Sequence, residues 1–121
     1  MEHIDLNQIT EEHLVGEWVV KERYSSNTPS DNPFSCCRII QIEKENYKTI
    51  NGKIRNGKFM IFREKELIYN PQVKFSELKS IESNAIITRL FIEKVEGIRK
   101  YNLTIYFTNG LELILQKTEN Q

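Results

Sequence analysis

Between residues 101 and 117, apolar and polar side chains alternate with a period of two. Tyr101, Leu103, Ile105 and Phe107 share one parity and Asn102, Thr104, Tyr106 and Thr108 the other; after Asn109-Gly110, Leu111, Leu113 and Leu115 again fall on one face. A helix repeats every 3.6 residues and cannot sustain this alternation across a tight turn, so the segment predicts antiparallel strands over 100–108 and 111–117. Runs rich in β-branched and aromatic residues predict further strands over 17–24, 37–43, 58–63, 66–69, 73–80 and 85–95. In the last of these, Ile86, Ile87, Leu90, Phe91 and Lys94 also suit an amphipathic helix, which would move the fold towards α+β. We read it as a strand because it stands among strands.

The punctuation between these runs is turn chemistry. Ser25 to Pro33, with Ser, Asn, Asp and two prolines, is the longest loop signal. Asn51-Gly52 and Asn56-Gly57 both suit the positive φ of tight hairpins and flank only three residues, so one is expected to be the hairpin and the other a bulge or loop. Thr10-Glu11-Glu12-His13 places a capping residue before two acids and predicts one helical turn ahead of Leu14. Eight to nine strands with short connections make the expected fold all-β: one antiparallel up-and-down barrel over residues 1–121, with a short helical turn in the 1–13 segment.

Composition narrows the classes of function. The 121 residues include 17 basic and 17 acidic side chains, so the balance that accompanies nucleic-acid binding is missing. No apolar run approaches the ~20 residues of a membrane helix, and Met1 to Thr10 lacks the basic and apolar regions of a signal peptide. The chain as written is expected in the cytoplasm, or as a secreted or envelope protein if a leader has been removed. The two cysteines, Cys36 and Cys37, are neighbours and cannot join distant segments; we expect reduced thiols ahead of a redox switch or metal site. His3 and His13 form no spaced ligand set with them, and no cofactor is implied.

Leu14-Val15-Gly16-Glu17-Trp18 opens the first long strand. A Gly-x-Trp at this place, followed by a meander, resembles the lipocalins and their short bacterial lipocalin-like relatives, members of the calycin group. The resemblance implies that Trp18 closes the narrow end of a barrel beneath a basic side chain near the end of the last strand. Lys117 continues the inward parity of Leu111, Leu113 and Leu115 and is the residue available for that role, where the family usually has arginine. Gly16, Trp18 and Lys117 are thus expected to maintain the barrel end.

Strand parity also suggests a binding end. If Trp18 points inward, Val20, Glu22 and Tyr24 do so too, and the parity of Ile40 and Ile42 brings Arg38 inward at the same mouth. Glu22, Tyr24, Phe34 and Arg38 are therefore the candidate ligand-binding residues, with Glu22 and Arg38 either orienting a polar head group or simply pairing. Phe34 is an aromatic anchor at the end of the Ser25–Phe34 loop or a core side chain. Lys48, Lys53, Arg55 and Lys58 form a local basic patch, a solvated hairpin or a surface for an acidic partner. Asn102-Leu103-Thr104 matches a glycosylation triplet but falls within a strand.

Enzymatic motifs are missing: no phosphate-binding glycine loop, no zinc spacing and no nucleophile elbow, while Cys37 and His13 are the only conceivable nucleophile and base. The expected function is therefore non-enzymatic binding of a small apolar or amphipathic ligand within the barrel. The alternative is an interaction protein of protease-inhibitor or immunity type, with a filled barrel that binds a macromolecular partner through its loops. The one tryptophan, five tyrosines and six phenylalanines could line a cavity or fill it, and a filled interior is slightly favoured.

Overall fold

The alternation of the C-terminal third recurs on the other long strands that the structure describes. A computed structural model describes residues 2–24, 34, 37–50, 54–62, 71–77, 82–107 and 110–119, with backbone alone at 54–56, 62, 76–77 and 82–83. Its strands are β1 Glu2–His3, β2 Gly16–Tyr24, β3 Ile39–Glu43, β4 Asn46–Ile50, β5 Ile54–Phe62, β6 Gln72–Glu77, β7 Glu82–Val95, β8 Ile98–Phe107 and β9 Glu112–Glu119. From β2 to β9 each strand pairs antiparallel with the next, and β9 returns to β2, closing an eight-stranded up-and-down barrel. The short β1 adds to the free side of β7, opposite Phe91 and Ile92, where β6 has already ended. The α-helical turn α1, Glu11–Leu14, stands before β2 with Thr10 as its N-cap.

Inward positions form one core. Trp18, Ile40, Ile42, Tyr47, Phe59, Val73, Phe75, Ile87, Leu90, Leu103, Ile105, Phe107, Leu113 and Leu115 are buried in it, with Ile9 and Leu14 contributed by the N-terminal segment. Deep burial of apolar area on each of β2 to β9 is what fixes register, because a one-residue slip would turn each of these side chains to water.

Two bulges alter the alternation. The β7–β8 register shifts between Ile87 and Arg89, so the inward residues run Ile87, Leu90, Ile92. The three-residue gap imitates helical spacing and accounts for the helical appearance of this strand in the sequence. The other shift, between Val20 and Glu22 on β2, has consequences for the mouth.

Two turns depart from the expected chemistry. The β3–β4 hairpin turns at Lys44-Glu45, with Glu45 at φ 68°, and β4 was not anticipated from the sequence because no glycine or asparagine occupies that turn. Its backbone N–H donates to Glu11 Oε1 at 3.0 Å, so α1 holds the turn in place. Glu96-Gly97 joins β7 to β8 with φ of 52° and 82°, the twist-matched hairpin geometry. Asn56-Gly57 lies inside β5 rather than at a turn. The expected Asn51-Gly52 turn, the 66–69 strand, the 78–80 end of the 73–80 strand and the Ser25–Pro33 loop lie outside the described residues.

Candidate functional site

At the closed end, the Trp18 ring is fully buried and its Nε1 donates to the Leu14 carbonyl at 2.8 Å. Lys117 lies across it from β9, with Nζ 4.9 Å from the Trp18 ring centroid and 4.7 Å from that of Tyr101. The ammonium donates to the carbonyls of His13 at 2.9 Å and Val15 at 2.8 Å, tying the last strand to the chain before β2. Gly16 makes this passage possible: its φ is 139°, and a Cβ placed there would stand 2.5 Å from Lys117 Cδ. Glycine is needed both for the backbone conformation and for the stem that crosses it.

Outside this seal is a crevice of about 490 Å³ bounded by Thr10, Glu12, His13, Glu17, Tyr101, Lys117 and Glu119, among others. Burial pushes the Lys117 amine below its usual pKa, partly countered by the charge of Glu119. Burial also raises the Tyr101 phenol, and a hydrogen bond with Glu119 and that carboxylate's charge add to the rise. His13 Nδ1 accepts from the Thr10 backbone N–H at 3.0 Å, which occupies one ring nitrogen in capping α1. Chemically the Lys117 ammonium is committed to two carbonyls and two aromatic faces, an arrangement that joins chain segments.

The opposite end differs from the sequence expectation. Because the β2 bulge inserts one residue, Arg23 takes the inward parity while Glu22 and Tyr24 turn to the exterior, Tyr24 being 52% exposed. The inward placement expected for Glu22 and Tyr24 is corrected accordingly. Tyr24 instead stands beside Glu22 on the outer surface, where that carboxylate's charge is the main cause of a raised phenol pKa. Arg38 is also exposed: it occupies a bend before β3, and Cys37 is the buried residue at that point. An inward Arg38 paired with Glu22 is therefore not the arrangement adopted.

Phe34 is the one member of the expected binding set that enters the barrel. It is fully buried, with ring centroids 4.7 Å from Phe75, 4.9 Å from Phe107 and 5.6 Å from Tyr47. Phe59 extends the aromatic cluster through Phe75 at 5.6 Å. Beside it, Arg23 Nη2 donates to the Cys37 carbonyl and lies 3.9 Å from Cys37 Sγ, while Arg23 Nε is buried without a hydrogen-bond partner among the described residues. Arg23 went unnoticed in the sequence because Lys21-Glu22-Arg23-Tyr24 contains no parity signal for a bulge.

Cys37 is buried at the mouth, and His13 belongs to the closed end, so the barrel separates them. Cys36 lies outside the described residues. Asn102 is buried on β8, where its Nδ2 donates to Glu93 Oε1 at 3.0 Å and its Oδ1 accepts from Gln116 Nε2 at 3.2 Å, so the amide of the glycosylation-like triplet is already engaged. Among the described residues, no group of three or more His, Cys, Asp or Glu is placed to hold a metal ion, and no helix is long and apolar enough to cross a membrane.

The fold and its two ends define a class: a small closed antiparallel β-barrel, compatible with a calycin-like architecture, sealed at one end by a tryptophan–lysine contact and filled towards the other by phenylalanines. Comparison with protein-family models, with curated proteins and with solved structures finds no match for the chain.

Proposed function

We propose that this chain is a non-enzymatic interaction protein whose barrel interior is a structural core and whose exterior binds a macromolecular partner. The observation that carries this reading is Phe34. Its ring is fully buried against Tyr47, Phe75 and Phe107, in the volume that a lipocalin-like carrier would leave for an apolar ligand. Admitting a ligand there would require extracting a phenylalanine from its aromatic contacts, at a cost of about 3–5 kcal/mol judged from core truncations.

A second reading, uptake of a small amphipathic molecule, draws on one observation. Arg23 faces inward near Phe34 with Nε buried and without a partner among the described residues, and a carboxylate could meet it. The test is titration with an apolar fluorescent probe such as anilinonaphthalene sulfonate, followed by competition with a fatty acid. The proposal expects no saturable binding. One probe per chain, displaced by the fatty acid and weakened by Arg23→Met, would replace the interaction reading with the carrier reading.

A further inference from the structure

Among the described residues, the exposed tyrosines are Tyr24 and Tyr106, and the ladder puts both beside one glutamate. Tyr24 on β2 and Tyr106 on β8 stand opposite Glu112 of β9 from its two sides, and they are 52% and 42% exposed. Directly opposed side chains lie about 4.5–5.5 Å apart at Cβ, so the three form one row across the outer face. Half-buried Ile86 extends the row on β7, opposite Tyr106. In the adjoining row Glu22 stands opposite half-buried Ile114, which makes Glu22 a diagonal neighbour of Glu112.

The surrounding basic residues leave the two carboxylates uncompensated. Arg23 turns inward to the Cys37 carbonyl, and Arg89 on β7 lies with its guanidinium 4.2 Å from the Phe91 ring centroid. Lys21 at the bulge and Arg38 beside β2 are exposed, and neither forms an ion pair with Glu22 or Glu112 among the described residues. Both carboxylates act on the Tyr24 phenol, Glu22 more strongly than Glu112, and hold its pKa above the usual value. The face therefore combines two exposed aromatic rings with negative charge beside each.

We propose that this face of β2, β9 and β8 is the docking surface for the partner, and that the partner is a basic protein segment bearing arginines. The proposal rests on the interaction reading above and specifies where and with what chemistry it operates. Charge complementarity selects a cationic occupant, and the rings select arginine among cations. A planar guanidinium can lie on a tyrosine ring while its N–H groups pair with a carboxylate at the ring's side. Glu112 stands between the two rings and Glu22 beside Tyr24, so each ring has such a carboxylate. Tyr24 and Tyr106 are two strands apart, about 9–10 Å, which an extended segment spans in three residues. Nucleic acids and anionic membranes are repelled by the same two acids.

The test uses the full chain and a fluorescein-labelled peptide of Arg-Ser-Ser repeats, with a Lys-Ser-Ser peptide of equal charge and a single-stranded RNA as further arms. Support is saturable arginine-peptide binding that weakens with salt, exceeds that of the lysine peptide and falls about tenfold in Glu22→Gln/Glu112→Gln. A similar fall is expected in Tyr24→Leu/Tyr106→Leu, whereas Tyr24→Phe/Tyr106→Phe, which keeps both rings, should retain binding. Glu43→Gln/Glu96→Gln, which neutralises two exposed acids elsewhere, is expected to leave binding unchanged. Urea midpoints of the variants separate loss of docking from loss of fold. Equal loss in both acid pairs, equal affinity for the two peptides, tighter binding of RNA, or no peptide binding by the folded protein would each overturn the proposal. Such failures without apolar-probe uptake leave the filled-barrel reading in place, whereas stoichiometric probe uptake removes that reading whatever the peptides do.

Discussion

Substituting Gly16 by alanine tests the closed end through the coupling the structure gives it with Lys117. The added methyl would lie 2.5 Å from Lys117 Cδ at a backbone φ of 139°, so two separable costs arise. Backbone strain accounts for about 1–3 kcal/mol. The Lys117 stem cannot swing aside freely, because Nζ is held by the His13 and Val15 carbonyls and lies over the Trp18 and Tyr101 rings. Displacing it forfeits a cation–π contact of roughly 0.5–2 kcal/mol and weakens two charge-assisted hydrogen bonds, bringing the total to about 3–5 kcal/mol. In a Lys117→Ala background the second cost is already absent, and Gly16→Ala should cost only about 1–3 kcal/mol. Urea unfolding of the four proteins in this cycle can be followed by the fluorescence of Trp18, the chain's single tryptophan. Equal costs of Gly16→Ala in both backgrounds would refute the reasoning.

Other consequences concern the core and the titrating groups. Trp18→Ala should destabilise the protein by about 3–5 kcal/mol, measured as a lower urea midpoint by circular dichroism. Phe34→Ala should cost a similar amount and leave a space that takes up an apolar probe, which the wild type should not do; a variant of unchanged stability would place Phe34 outside the core. The Lys117 ammonium should lose its proton below pH 10.5, visible in the pH-dependent NMR shift of its Cε. Because the unfolded chain keeps that proton to higher pH, wild-type stability relative to Lys117→Met should rise with pH between the folded midpoint and 10.5; a fall in that window contradicts the assigned burial. Tyr101 should ionise above pH 10.0, and the phenolate absorbance that develops above that pH should diminish in Tyr101→Phe.

The sequence carried the barrel most clearly where alternation is unbroken. Leu103, Ile105 and Phe107 on β8 and Leu111, Leu113 and Leu115 at and along β9 are all buried on the parity their spacing indicates. The antiparallel meander followed from such runs, but β4 escaped notice behind a turn in which Glu45 takes a left-handed conformation. Parity fails after a bulge, since the extra residue is identified only by its pairing partner. One bulge turned Glu22 and Tyr24 outward and Arg23 inward, and the other gave β7 a helical spacing. Lys48 and Lys58 were visible as parts of one local basic run, but their placement on the same face depends on the β4–β5 pairing, which the sequence does not display. Phe34 was ambiguous for a different reason: an aromatic residue after a loop suits a core side chain and also a docking anchor, and its neighbours distinguish the two.

The account depends most on whether Phe34 is a fixed part of the core or a side chain that yields to a ligand. Nuclear Overhauser contacts from the Phe34 ring to Tyr47, Phe75 and Phe107, recorded before and after addition of a saturating medium-chain fatty acid, measure this directly. A structural core predicts that all three sets persist unchanged at the distances described. Their loss, with contacts from the fatty-acid chain to Phe75 and Phe107 appearing instead, would show that the barrel is a ligand chamber closed by a movable phenylalanine.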